Sequence, residues 1–239
     1  LQSTQGEIKT LNSGATLTYQ ILPVLKFITN AGLSNVEGES FRPFPISSMD
    51  PATSASNRGS AVFFETSQNS VSVEPFFSST INVLRGKVDF VIGGSYQSQI
   101  SGSKSISSSG YTSDALLKSM QLATYTSGAN FSLEYKYSAL FARATYNYGG
   151  KVLANLSFRR DGSSRFGPGY QFGNFGSIGL AYIFTKETFF ERKVPGLSFG
   201  KLRFSYGTSG HDGIGDYRYR EFYQPAWELS NGTYRGTRP

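Results

Sequence analysis

The stretch Ser70–Val83, SVSVEPFFSSTINV, alternates apolar and polar side chains almost residue by residue. Successive side chains of a β-strand point to opposite faces, so this alternation gives the strand one apolar face and one polar face. Phe76 is the exception on the polar face, and the apolar positions are Val71, Val73, Pro75, Phe77, Ile81 and Val83. The stretch therefore predicts a long β-strand of which one face is apolar.

The same period of two recurs along the chain. It appears at residues 15–21, 25–33, 88–100, 140–148, 152–159, 177–184 and 201–207, with a weaker instance at 216–223. Together with Ser70–Val83 these segments predict about nine strands. From this alternation we expect an all-β fold with antiparallel neighbours.

Strand length and connection length favour a membrane barrel over a soluble sandwich. Several segments run for about 10–14 residues, whereas strands in globular proteins are usually about 5–6 residues long and membrane-spanning strands need about 9–11. Short links at 22–24, 84–86 and 149–150 alternate with long links at 34–69, 101–134 and 161–171. Outer-membrane barrels alternate in this way, with all long links on one side. The link at 185–196 departs from the pattern, and Asp114–Leu122 could form a short helix on a loop.

The composition excludes several other classes of protein. The 239 residues include 15% aromatic and only 16% charged side chains, which argues against a disordered chain. There is no cysteine and one histidine, so disulfides, thiolate metal sites and two-histidine motifs are excluded. The longest strictly apolar run is Leu180–Phe184, too short for a membrane-spanning helix. The net charge is +7, but the basic residues are scattered, so we expect no nucleic-acid partner.

The clearest local motif is RRDGSSRFG at residues 159–167, which joins two predicted strands. If the motif is functional, it contacts a ligand at the mouth of a pore. If it is structural, it forms a hydrogen-bonded loop that sets the register of the two strands. The candidate ligand-binding residues are Arg160, Asp161, Arg165 and Phe166. His211 beside Asp212 could begin a catalytic dyad, but no GxSxG elbow accompanies it. We therefore predict no enzyme, no metal and no cofactor.

Three stretches together resemble the barrel of SusC/RagA-type TonB-linked outer-membrane proteins. They are FARATYNYGGKVLANLSFRRDGSSRFG (141–167), FGSIGLAYIFTKETFF (175–190) and GLSFGKLRFSYGTSGHDGIGDYRY (196–219). The resemblance is specific from about Ser138 to Tyr219, and earlier residues agree only in strand pattern. The sequence departs from the family at His211-Asp212, where an asparagine is usual.

The resemblance implies import of glycans or peptides across a bacterial outer membrane. It also implies a SusD-like lipoprotein as a partner, contact with membrane lipid, and coupling to TonB through a region missing from this chain. Residues 1–239 would be part of a barrel domain of about 22 strands, without the plug domain. Lumen-facing positions would include the basic residues Arg143, Arg159, Lys201 and Arg203. Such a wall would attract acidic or polar solutes, or its arginines would pair with plug carboxylates.

Two alternatives to an importer fragment stay open at this stage. One is a small passive porin of about 8–10 strands. The C-terminus argues against it, because Arg235–Pro239 has neither a strand pattern nor a terminal aromatic residue. The other is a soluble β-sandwich that acts as an adhesin or glycan-binding module. Its strands would be shorter, and its aromatic residues would face a shared core.

Overall fold

The computed structural model describes residues 3–50, 58–193, 196–220, 229–230 and 233–234. Eight strands form one sheet whose spatial order follows the chain order. Their bounds are β1 Gln5–Leu22, β2 Leu25–Phe44, β3 Gly59–Val83, β4 Gly86–Tyr111, β5 Tyr125–Tyr148, β6 Val152–Ser163, β7 Phe172–Tyr182 and β8 Leu202–Gly207. A separate antiparallel pair joins β9 Leu229–Ser230 to β10 Thr233–Tyr234. The predicted all-β antiparallel fold is confirmed.

Eight of the predicted strand segments are present, but the ninth is not confirmed. Residues 216–220 form turns, and residues 221–223 lie outside the described part of the chain. Tyr217 has a φ of 57°, which is incompatible with an extended strand. The alternation of side chains in this stretch was therefore too short to decide its backbone conformation.

Strands β1 to β5 are much longer than the sequence pattern predicts, at 18 to 26 residues. The loops expected at 34–69 and 101–134 shrink to residues 45–58 and 112–124, and that expected at 161–171 shrinks to 164–171. Polar pairs bridge adjacent strands in these stretches, such as Asn35 Nδ2 to Asn69 Oδ1 at 2.7 Å. Apolar residues in these stretches are either sparse or consecutive, as in AVFF at 61–64, so a period of two in hydropathy cannot reveal the strand.

The turn between β5 and β6 shows how the short connections are made. Gly149 and Gly150 have φ values of 54° and 68°, a conformation that glycine adopts without steric cost. The Asn147 side chain accepts a hydrogen bond from the Gly150 amide at 2.9 Å, and Lys151 N–H donates to Tyr148 at 2.9 Å. This two-glycine turn fixes the register of the β5–β6 hairpin.

The chain divides into two compact units. The first comprises residues 1–19, 28–75 and 95–136, and the second comprises residues 20–27, 76–94 and 137–239. The first unit has a small apolar core of Ala61, Tyr111 and Leu117, against which Phe41 and Phe63 pack. The second unit includes β6, β7, β8 and the helix α1, Thr188–Lys193. None of the helices in the described ranges is long and apolar enough to cross a membrane.

The helix expected at Asp114–Leu122 takes the form of two separate 3-10 turns, Asp114–Leu116 and Met120–Leu122. Ser119 lies between them with an extended backbone, φ −106° and ψ 109°, which interrupts helical hydrogen bonding. Before the first turn, the Ser113 hydroxyl accepts a hydrogen bond from the Ala115 amide. Ser113 thus caps the first turn, and the extended backbone at Ser119 separates it from the second.

Candidate functional site

The registers of β5 to β8 divide the side chains of the second unit into two faces. Arg143 lies opposite Ser157, Phe141 opposite Arg159, and Ala181 opposite Arg203. Ser157 is also opposite Ser177, so these positions share one face because directly paired residues point the same way. The registers thus place the predicted lumen-facing residues Arg143, Arg159 and Arg203 together on a polar face. Lys201 immediately precedes β8 and is half-buried.

The opposite face is apolar and exposed. Leu156 lies opposite both Ala144 and Ile178, and its side chain is 60% exposed. Other large apolar side chains on this face are also exposed: Leu140, Phe158, Ile178, Leu180, Leu202 and Phe204. Large apolar side chains of β3 and β4 are exposed as well: Val71, Phe77, Phe90 and Ile92. A β-sandwich would bury such a face in a shared core, so the sandwich alternative does not fit the structure.

Arg159 is held in a small polar and aromatic cluster on the polar face. Its Nε donates to Asp161 Oδ1 at 2.6 Å, and Nη2 donates to the Tyr137 hydroxyl at 2.5 Å. The guanidinium also lies 5.9 Å from the ring centroid of Tyr137 and 5.8 Å from that of Phe141. Its positive charge is therefore already engaged by a carboxylate and two aromatic faces.

Arg165 joins the RRDGSSRFG loop to the segment 208–220. Its Nε donates to Asp216 Oδ1 at 2.8 Å, and Nη1 donates to the Asp212 carbonyl at 3.1 Å. The Ser163 hydroxyl donates to Asp212 Oδ2 at 2.9 Å. We call Ser163, Arg165, Asp212 and Asp216 the loop latch. Residues about 50 positions apart in the chain are thus held together by charge-assisted hydrogen bonds.

The four candidate ligand-binding residues do not converge on one point. Asp161 pairs with Arg159, and Arg165 belongs to the loop latch. Arg160 lies opposite Leu140, on the apolar face, and its guanidinium is 5.2 Å from the Phe172 ring centroid. Phe166 is half-buried in the loop. The geometry thus favours the structural interpretation of this motif, and ligand contact by the four residues stays a prediction.

Sequence reasoning missed Tyr137, Asp216 and the role of Asp212. The Asp212 carboxylate accepts a hydrogen bond from Ser163, and His211 is exposed. The departure from the family pattern at this position therefore has a structural role. The sequence did contain a signal for these contacts. Ser163 and Arg165 lie in one of the stretches that most specifically resemble the family, and Asp212 and Asp216 lie in another. No cluster of three or more potential metal ligands occurs in the described ranges.

A second link joins the two long connections of the first unit. Asp114 Oδ1 accepts the Ile46 amide at 2.6 Å, and Oδ2 accepts the Ser47 amide at 3.2 Å. Beneath this link, the fully buried Tyr111 donates its hydroxyl to the Ser119 carbonyl at 3.1 Å. Hydrogen bonding from the Ser47 side chain, together with the two amides, holds the Asp114 pKa below its usual value.

We expect the Asp114 link to open in acid. A carboxyl whose pKa is lowered by folding stabilises the fold above its unfolded pKa, near 3.8, and loses that contribution as the pH falls through the folded value. Amide chemical shifts of Ile46 and Ser47 should be constant from pH 5 to 8, as expected of an ionised carboxylate, and change below about pH 4. An Asp114→Asn variant should lack this acid transition. An unchanged transition in that variant would show that another group controls the link.

Comparison with known proteins finds similarity to TonB-dependent receptors. No protein-family model matches the chain. The chain is 40% identical over 90 residues to a TonB-dependent receptor of Formosa agariphila, a match that covers 38% of this chain and 9% of that receptor. It is 36% identical over 92 residues to the TonB-dependent receptor SusC of Bacteroides thetaiotaomicron, covering 38% of this chain and 9% of SusC. A longer match to another F. agariphila TonB-dependent receptor, at 26% identity over 204 residues, covers 83% of this chain and 20% of that receptor.

Solved structures show the same fold. The RagAB peptide transporter matches with a TM-score of 0.83 and 19% identity, over 99% of this chain and 27% of the transporter chain. The RagAB peptide importer in its open-open state also gives a TM-score of 0.83, over 96% of this chain and 25% of the importer chain. The fold is therefore that of an antiparallel β-barrel wall. The resemblance to SusC/RagA-type TonB-dependent receptors is confirmed, and the chain spans about a quarter or less of these proteins.

Proposed function

We propose that this chain forms part of the barrel wall of a TonB-dependent importer in a bacterial outer membrane. The plug domain and the segment that contacts TonB would lie outside these residues, and the chain would have no catalytic role. The observation that carries the proposal is the division of β5 to β8 into an exposed apolar face and a polar face. In a membrane barrel the first face meets lipid and the second lines the interior.

The interior wall would favour acidic or polar solutes. Arg143 and Arg203 are exposed on the polar face, and Lys201 adds a third positive charge near the start of β8. The Arg159 charge is shared with Asp161, so it contributes less to the field in the lumen. Glycan and peptide import are both consistent with such a wall, and its charge would steer anionic solutes toward it.

The long connections would contact a SusD-like lipoprotein that covers the barrel. The connection between β4 and β5 presents exposed apolar side chains, Leu122 at 55% and Tyr125 at 73% exposure. These two residues follow a segment, 111–119, that is held in place by the Tyr111 core and the Asp114 link. A rigid segment with exposed aromatic and aliphatic side chains is suited to binding a protein partner.

We expect the paired substitution Leu122→Asp and Tyr125→Asp in the full-length transporter to weaken lipoprotein binding at least tenfold, because it would place two charges in an apolar contact. Co-purification of the lipoprotein and uptake of the transported solute should both fall. Neither residue belongs to the buried core, so the amount of folded protein in the membrane should stay constant.

The control is Leu84→Asp in the turn between β3 and β4. Leu84 is 92% exposed and has a φ of 54°, a conformation that aspartate tolerates. By strand parity this turn belongs to the short connections, so the control should leave binding and uptake unchanged. If the paired variant behaved like the control, the long connection would not be the binding surface.

A further inference from the structure

The connection between β7 and β8 is a built element and not an open loop. The Phe184 ring packs directly against Gly200, where a Cβ atom would clash with it. Thr185 Oγ1 accepts the Gly200 amide at 3.1 Å and donates to the Gly200 carbonyl at 3.4 Å. Lys151 Nζ pairs with Glu187 Oε2 at 3.0 Å, which ties the connection to the β5–β6 turn. The start of the connection, at Phe184 and Thr185, is thus held against its end at Gly200.

This built element nevertheless exposes large apolar side chains. Phe189 on α1 is 58% exposed and Phe199 is 62% exposed, and Leu197 is exposed between them in the chain. Phe190 lies behind Phe189, with ring centroids 5.6 Å apart, and also packs at 5.1 Å on Phe184. We call residues 184–190 and 196–200 the apolar foot. The half-buried Phe184 and Phe190 stabilise it, while Phe189 and Phe199 are at the surface.

The foot is continuous with the apolar face of the sheet. Tyr182 at the end of β7 lies opposite Leu202 at the start of β8, and both side chains are exposed on that face. Residues 183–201 also carry four basic side chains against two acidic ones in the sequence. Aromatic residues next to basic ones are typical of the level at which lipid tails meet headgroups.

We propose that the apolar foot is an interfacial anchor, with Phe189 and Phe199 inserted into the lipid leaflet beside the β7–β8 hairpin. This inference rests on the proposed membrane orientation, because the foot lies next to the face assigned to lipid. The foot adds aromatic contacts to the edge of the lipid-facing surface and limits tilting of the hairpin ends. The foot contacts membrane lipid in this proposal. A periplasmic protein bound to the same surface would contradict it.

The test places a nitroxide spin label in the full-length transporter reconstituted in phospholipid vesicles. These 239 residues contain no cysteine, so Phe189→Cys and Phe199→Cys each introduce one labelling site within them. Collision with oxygen, which concentrates in lipid, is compared with collision with a water-soluble nickel chelate. Leu156→Cys serves as the lipid reference, and Tyr170→Cys, at an 84% exposed loop position, serves as the water reference.

Both foot labels should favour oxygen over nickel, at a depth shallower than that of the Leu156 label. Foot labels that collide with nickel as readily as the Tyr170 label would overturn the anchor, and so would labels shielded from both probes by a protein contact. If the Leu156 label itself failed to meet lipid, the proposed membrane orientation would fall and the anchor with it. If Leu156 meets lipid and the foot does not, only the anchor is wrong.

Discussion

We expect Leu156→Arg to lower the free energy of unfolding in lipid vesicles by about 2–4 kcal/mol. Leu156 lies near the middle of β6, on the apolar face and 60% exposed. A guanidinium at this depth of a bilayer would be surrounded by hydrocarbon, where its charge is poorly solvated. Denaturant titration of the protein in vesicles, followed by tryptophan fluorescence or circular dichroism, measures the difference.

The size of this effect separates a membrane environment from water. A substitution at an exposed position of a soluble protein usually changes stability by about 0.5 kcal/mol or less. The matched control is Asn155→Arg, the preceding residue on the polar face, opposite Thr145 and Gly179. It should cost less than about 1 kcal/mol, because the new charge would face water. Equal and small effects for the two variants would contradict the assignment of the faces.

Loss of the Arg165 side chain should release the segment 208–220. The Arg165 and Asp216 side chains are 27% and 17% exposed, so solvent compensates only in part for their separation. Hydrogen bonds to charged groups contribute about 1.5–3 kcal/mol. We therefore expect Arg165→Met to lower the free energy of local unfolding of 208–220 by about that amount. Hydrogen exchange should detect it, because about 1.4 kcal/mol corresponds to a tenfold faster exchange.

A double-mutant cycle tests whether Arg165 acts through Asp216. Arg165→Met combined with Asp216→Asn should cost less than the two single effects added together, because both remove the same contact. Arg165→Lys should recover only part of the protection, since an ammonium cannot reproduce the directed contacts of the guanidinium with both Asp212 and Asp216. Arg160→Met is the control on the apolar face. Equal exchange in the Arg165 and Arg160 variants would show that the loop latch does not hold the segment.

The hydropathy pattern was sufficient to predict the fold where one face of a strand is apolar. The segments 152–159 and 177–184 fall within or almost within β6 and β7, and the partition of Leu156 and Asn155 between faces follows from the period of two. The pattern failed where apolar residues are sparse and do not alternate, as in residues 34–44 of β2, because inter-strand hydrogen bonds there hold a strand that hydropathy does not mark. Strand length is therefore the part of the fold that the sequence underestimates.

The contacts of the candidate site were harder to predict than its faces. Arg143, Arg159 and Arg203 were predicted to share a face, and the registers of β5 to β8 place them together. The partners of Arg165 could not be predicted, because Asp216 is 51 residues away and a period of two gives no information on contacts between loops. A loop composition rich in Gly, Ser and Asp indicates a turn but not what it binds.

In this barrel wall, one face should meet lipid and the other water. This arrangement is tested most directly by single cysteines placed in turn at residues 153 to 158 of β6, in cells that carry the full-length transporter. A membrane-impermeant thiol reagent small enough to enter the lumen is applied, and labelling is measured at each position. We expect labelling at 153, 155 and 157 and protection at 154, 156 and 158. Uniform labelling of all six positions, or labelling with the opposite phase, would contradict this arrangement.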